Sequence, residues 1–156
     1  MLDSLLTWRD VSRRLNLPRF RNRALGSLYL DQGFLAGIGN YLRSEILFAA
    51  GLHPTNIPRE LAAKTGNRLA RQTLNIARRA YETGGITNAP ERVAAMKDGG
   101  LNRRRYRFAV FARAGQPCPT CGVMVERIEV GSRRLYLCPA CQSSHQGENR
   151  RDRRNR

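Results

Sequence analysis

Four cysteines, the chain's full complement, fall in one short window as Cys118-Pro-Thr-Cys121 and Cys138-Pro-Ala-Cys141. Two C-x-x-C knuckles separated by 16 residues have the ligand spacing of a structural zinc site. Each knuckle lets two thiolates converge on one metal, and the stretch between them is long enough for a β-hairpin. Zinc would fix a segment too small to bury enough apolar surface on its own. Two disulfides, or a chance cluster of buried thiols, are the competing readings. Iron in an electron-transfer site is a further one. The pairing of the knuckles and the lack of a recognisable secretion signal favour one Zn²⁺ in a reducing cytoplasm. Four thiolates close every coordination position, so the metal is expected to be structural rather than a Lewis acid.

The rest of the chain is set by charge and helical period. Of 156 residues, 28 are Lys or Arg against 12 Asp or Glu, a formal net charge of +16. Only Lys64 and Lys97 are lysines, so arginine supplies the excess. Guanidinium forks suit phosphate recognition, and a polyanion is the natural partner of such a surface. No apolar run approaches the length of a membrane span.

The chain reads as mainly α, a helical bundle followed by a small β-hairpin module. Leu5, Leu6, Trp8, Val11 and Leu15 share one face of a first helix, with Thr7 or Asp3 as N-cap and Pro18 ending it. A second helix is expected from about Asn22 to Phe34, burying Leu25, Leu28 and Tyr29. Gly37 and Gly39 interrupt it. A third runs from Tyr41 to Ala50, with Gly51 as its stop. A long helix over about 59–83 turns Leu69, Thr73, Leu74, Ile76, Ala77, Ala80 and Tyr81 inward. It leaves Arg68, Arg71, Arg78 and Arg79 as a solvated face. One short helix is expected near Glu91–Lys97, and Tyr106, Phe108, Val110 and Phe111 read as a strand. Met124–Val130 and Arg134–Leu137 read as a hairpin turning at Gly131-Ser132. The expected division is 1–100 helical, 101–142 zinc module, and 143–156 a disordered basic tail.

Two short features could carry recognition. Gly37-Ile38-Gly39-Asn40 precedes a helix whose open N–H groups would make an anion site, to which Asn40 adds an amide. The plainer reading is a tight connection with Asn40 as N-cap. Arg133 follows the hairpin turn and could project into a groove from a metal-held support, although such an arginine is ordinarily just exposed.

Taken together, these stretches resemble the bacterial formamidopyrimidine-DNA glycosylase/endonuclease VIII enzymes. The residues concerned are Phe20-Arg21-Asn22-Arg23, the run from Leu30-Asp31-Gln32-Gly33 through Gly37-Ile38-Gly39-Asn40-Tyr41-Leu42-Arg43-Ser44-Glu45, and Gly115-Gln116-Pro117-Cys118 with Ser132-Arg133 and Cys138 to Gln142. They look like that family's helix–two-turn–helix motif and its β-hairpin zinc finger. Asp31-Gln32 and Asn40-Tyr41-Leu42 lean to the endonuclease VIII branch, while Gly51-Leu52-His53-Pro54 leans slightly the other way. The resemblance implies base-excision repair: a glycosylase and abasic-site lyase acting on oxidised bases, mainly pyrimidines, in double-stranded DNA. It also implies a bacterial, nucleoid-associated monomer. Asn40 matches the family's phosphate-binding asparagine, flanked by Gly37, Gly39 and Tyr41. Arg133 matches the finger arginine that grips the same backbone, and Glu45 a glutamate in a supporting role.

Family enzymes attack the sugar through an N-terminal proline followed by a glutamate. This sequence starts Met1-Leu2-Asp3, and no residue in it replaces that pair; His53 and His145 have no evident partners. The expectation is the DNA-binding half of such an enzyme, a fragment or a truncated product, whose missing partner is the N-terminal catalytic domain. On its own it should be inactive. The alternative is a stand-alone zinc-containing nucleic-acid-binding module without lesion preference.

Overall fold

The computed structural model describes residues 5–144. Asp3, His145 and nearly all of the expected tail lie outside them. The elements are α1 (Trp8–Leu15), α2 (Leu25–Leu28), α3 (Asn40–Ala50), α4 (Ala63–Glu82), α5 (Pro90–Asp98), α6 (Arg103–Tyr106), β1 (Glu126–Val130) and β2 (Arg133–Leu137). Helices make the body, and the antiparallel β1–β2 hairpin is the only sheet among the described residues. No helix there is long and apolar enough to cross a membrane.

Thr7 caps α1 in a full capping box with Asp10, which satisfies two otherwise unpaired N–H donors. Gly51 ends α3 with φ +65°, the left-handed conformation that glycine adopts without a steric penalty. Gly131 and Ser132 both have φ +60°, and Val130 pairs with Arg133, so the hairpin closes through the two-residue turn expected from sequence.

Helices α1, α3 and α4 enclose a core of Val11, Leu15, Leu25, Leu28, Phe34, Ile46, Leu47 and Leu69. Phe34 meets Phe20 and Tyr29 edge-on, with centroids 5.2 and 5.3 Å apart. The fully buried Tyr29 hydroxyl is hydrogen-bonded to Thr73 at 2.8 Å. Leu135 and Leu137 of β2 belong to this same core, so the hairpin completes the helical body. Gly26 sits where the two meet. A β-carbon there would lie 3.0 Å from Pro54 Cβ and 3.3 Å from Val130 Cγ1, so a larger residue would have to push its neighbours back by a few tenths of an ångström.

Several expectations are corrected. The second helix shrinks to one turn, although Leu25, Leu28 and Tyr29 are buried as expected. Side chains organise the segment after it instead. Asp31 Oδ1 accepts from Gly33 N (2.7 Å), Gln32 Oε1 accepts from Gly37 N (2.9 Å), and Gln32 Nε2 donates to Ile38 O (3.2 Å). Such local bonds compete with helix. Helix α4 starts at Ala63, after a 3₁₀ turn at Pro58–Glu60 and two extended residues. Tyr81, expected inside, is 70% exposed on its last turn.

The strand expected over 106–111 is absent. Its place is taken by α6 and a turn segment whose N–H groups bond to a side chain rather than to a neighbouring strand. Met124 lies outside β1 and makes only an isolated bridge to Pro117.

Candidate nucleic-acid interface and metal centre

Helix α3 carries three consecutive buried polar residues, Arg43, Ser44 and Glu45, in an otherwise apolar run. Each ties the helix to another part of the chain. Glu45 Oε1 accepts from Val110 N and Phe111 N, both at 2.8 Å. Its Oε2 accepts from Ala109 N (2.9 Å) and Thr87 Oγ1 (2.6 Å). Four donors take up the acceptor capacity of one carboxylate, so Glu45 anchors the entry to the zinc module. Ser44 Oγ accepts from Tyr136 N of β2 at 3.2 Å.

Arg43 is fully buried. One amino group donates to Gly26 O (2.7 Å), and the other to Asn40 Oδ1 (2.7 Å) and Arg134 O (3.2 Å). Burial, then the positive charge of nearby Arg133, pushes its pKa down to about 10, still cationic at neutral pH. A guanidinium can only donate, so the Asn40 oxygen must face Arg43. The Asn40 NH₂ is thereby turned away as a free donor.

Asn40 opens α3 as its first helical residue. Gly39, not Asn40, is the N-cap, and no side chain caps this end. That corrects the plainer reading of Asn40. Gly37 (φ +87°) and Gly39 are exposed, so the backbone here is approachable. Unpaired N–H groups, the helix dipole, the oriented Asn40 amide and the Arg43 charge therefore coincide at one end of α3. Arg133, the exposed first residue of β2, directly precedes Arg134, whose carbonyl accepts from Arg43.

Tyr41 is half-buried in an aromatic cluster, 5.3 Å from Phe108 and 6.2 Å from Phe111, with Phe111 5.1 Å from Tyr136. The Arg107 guanidinium lies over Phe108 at 4.6 Å and Tyr41 at 5.7 Å. This cluster packs the start of α3 against the zinc module.

The four cysteine sulfurs all lie within 4.8 Å of one another. Cys118 Sγ is 3.9 Å from Cys141 Sγ, and Cys121 Sγ is 3.4 Å from Cys138 Sγ. Disulfides are about 2.05 Å long, so the disulfide reading fails. A tetrahedron of Zn–S bonds near 2.3 Å has edges of about 3.8 Å, and this cluster fits it. Thr120 N and Cys141 N each point at a knuckle sulfur at 3.4 Å. Gln142, fully buried, accepts from Cys138 N (2.9 Å) and donates to Leu52 O (3.0 Å), linking the knuckle to the helical body. The donor set calls for one structural Zn²⁺.

The formamidopyrimidine-DNA glycosylase H2TH domain matches residues 9–91, more than half of the chain. The chain belongs to this family. The zinc finger found in FPG and IleRS matches residues 115–143, which contain all four cysteines. Curated relatives include endonuclease 8 of Shigella sonnei and of Escherichia coli. Each is 42% identical over 142 residues, covering 91% of this chain and 51% of the relative. This H2TH and zinc-finger chain thus spans about half the length of the curated relatives it matches. The Thermus thermophilus MutM (Fpg) structure aligns with TM-score 0.68 and 35% identity, covering 87% of this chain and 50% of that one. A Lactococcus lactis Fpg, solved with FAPY-dG-containing DNA, aligns with TM-score 0.69 at 22% identity over 88% of this chain and 48% of its own.

Sequence reasoning singled out the cysteines, Asn40, Arg133 and Glu45, but missed Arg43, Ser44 and Gln142. The available signal was three polar residues in a row within an apolar helix. Some of them must face the core, and buried polar groups need partners.

Proposed function

We propose that this chain binds duplex DNA as the H2TH and zinc-finger part of a base-excision-repair glycosylase and abasic-site lyase of the endonuclease VIII branch. Its role is to clamp the backbone around an extruded nucleotide. The carrying observation is the Asn40–Arg43–Arg133 group, which puts an oriented amide donor and an exposed guanidinium from two parts of the fold beside one uncapped helix end. Chemistry on a stacked base requires the nucleotide to leave the helix, and contacts on the flanking phosphates hold that distortion. The branch rests on the curated endonuclease 8 relatives, and oxidised pyrimidines are its proposed substrates.

Excision itself needs a nucleophile and an acid–base pair. This site offers neither, because Glu45 is committed to four hydrogen bonds. The 156 residues alone are therefore expected to bind without excising; borohydride trapping of an imine on an oxidised-pyrimidine duplex would contradict this.

Arg133→Ala tests the clamp. It should weaken binding to a duplex with a central abasic-site analogue by about 1.5–3 kcal/mol, the range for hydrogen bonds to a charged group. Fluorescence anisotropy at physiological salt would read this. Unchanged affinity would remove Arg133 from the interface.

A further inference from the structure

We propose that the outer face of α4 is a second, independent surface for nucleic-acid backbone, so that one chain can hold two duplexes. A groove of about 540 Å³ on this face is lined by Lys64, Asn67, Arg68, Arg71, Gln72 and Asn75, with no carboxylate among them.

Three arginines of this face are held in place. Arg68 Nε donates to Ala50 O at 3.1 Å, Arg71 stacks on Trp8 at 4.0 Å, and Arg78 donates to Leu6 O at 2.8 Å. Asn67 Oδ1 accepts from Ser12 Oγ at 3.1 Å, which turns its NH₂ outward as a donor. Like charges three and four residues apart on one helix repel each other. The ion pairs among the described residues, Arg13–Asp10 and Arg23–Asp31, involve none of these groups. Fixed, unneutralised guanidinium groups interleaved with amides suit phosphate oxygens. A protein partner would want an apolar anchor at the centre of the contact. The groove lining has none, and Trp8 lies under Arg9 (4.7 Å) as well as Arg71.

The face is also separate from the clamp. Arg68 bonds to the last residue of α3, whereas Asn40 is its first, about 15 Å away along the helix axis. The surface therefore stands without the clamp reading.

The test is capture of a second duplex. A tethered duplex with an abasic-site analogue is loaded with the chain, and a labelled undamaged duplex is passed over it at physiological salt. Wild type should retain the label. Lys64→Gln/Arg71→Gln/Arg78→Gln should lower retention about tenfold or more, with loading on the tethered duplex changed less than about twofold. Lys64→Glu/Asn75→Glu keeps the held arginines but sets carboxylates three and four residues from them, and should do the same if the first variant folds poorly. Replacing Arg150, Arg151, Arg153, Arg154 and Arg156 by Gln should leave retention intact.

No retention by wild type, retention indifferent to both α4 variants, or retention lost with the tail variant alone would overturn the proposal. If loading on the tethered duplex fails, the clamp reading falls. The α4 face is then read from undamaged duplex binding to surface-attached chain, which Lys64→Glu/Asn75→Glu should abolish and which, if unaffected, overturns it.

Discussion

A buried guanidinium without a carboxylate is costly to keep, and among the described residues Arg43 forms no ion pair. Its charge lies at the positive end of α3 and near Arg133, where an arriving phosphate would relieve all three unfavourable terms together. Arg43→Met should therefore weaken duplex binding by about 1–2 kcal/mol, although Arg43 itself is out of a ligand's reach. The loss should be smaller in an Asn40→Ala background, because part of the Arg43 effect is to orient that amide, while its charge acts in either background. Additive losses in the double-mutant cycle would contradict this. Glu45 makes a different prediction. Glu45→Gln brings an NH₂ group against backbone donors and leaves at least one of them unsatisfied. It should cost about 2–4 kcal/mol of folding stability in urea unfolding, and an unchanged midpoint would mean that the four bonds are not made. The cysteine cluster was legible because its ligands sit at fixed spacing, while Asn40 and Arg133 stand out in the sequence only by lying beside glycines or a turn. Arg43 was not, because its local signal, three polar residues in a row within an apolar helix, does not say which of them is buried.

At the scale of elements, α1, α3 and α4 follow from their caps, stops and apolar periods, and the hairpin from its two-residue turn. The segment misread as a strand is 106–111. Tyr106, Phe108 and Val110 alternate with other residues as in a half-buried strand, but Glu45, some 64 residues away in sequence, claims the N–H groups that a strand would give its neighbour. Tertiary contact overrides local pattern there. The hairpin is too small to stand alone, so the metal should govern it. Leu135 and Leu137, packed with the helices, carry its loss inward. Burying a leucine contributes about 1.5–3 kcal/mol. Chelation of zinc, or Cys138→Ser, should therefore erase β1–β2 and also lower the melting temperature of the helical signal at 222 nm. A helical melt indifferent to chelation would show that the finger hangs free of the core.

Across the whole molecule, the +16 net charge would add an attraction for any duplex to the proposed clamp, and salt should separate the two. Arginine–phosphate contacts release counterions, so binding to any duplex should fall steeply as salt rises from about 50 to 200 mM. Recognition of a distorted backbone rests instead on the placement of a few donors, and should survive as a ratio when the overall affinity drops. The decisive measurement is the affinity of the wild-type chain, at physiological salt, for a duplex with a central abasic-site analogue against the same duplex undamaged. Preference for the damaged duplex, lost in Asn40→Ala/Arg133→Ala, is what the clamp predicts. Equal, salt-sensitive affinity for both would contradict it and leave the chain an electrostatic anchor without lesion recognition of its own.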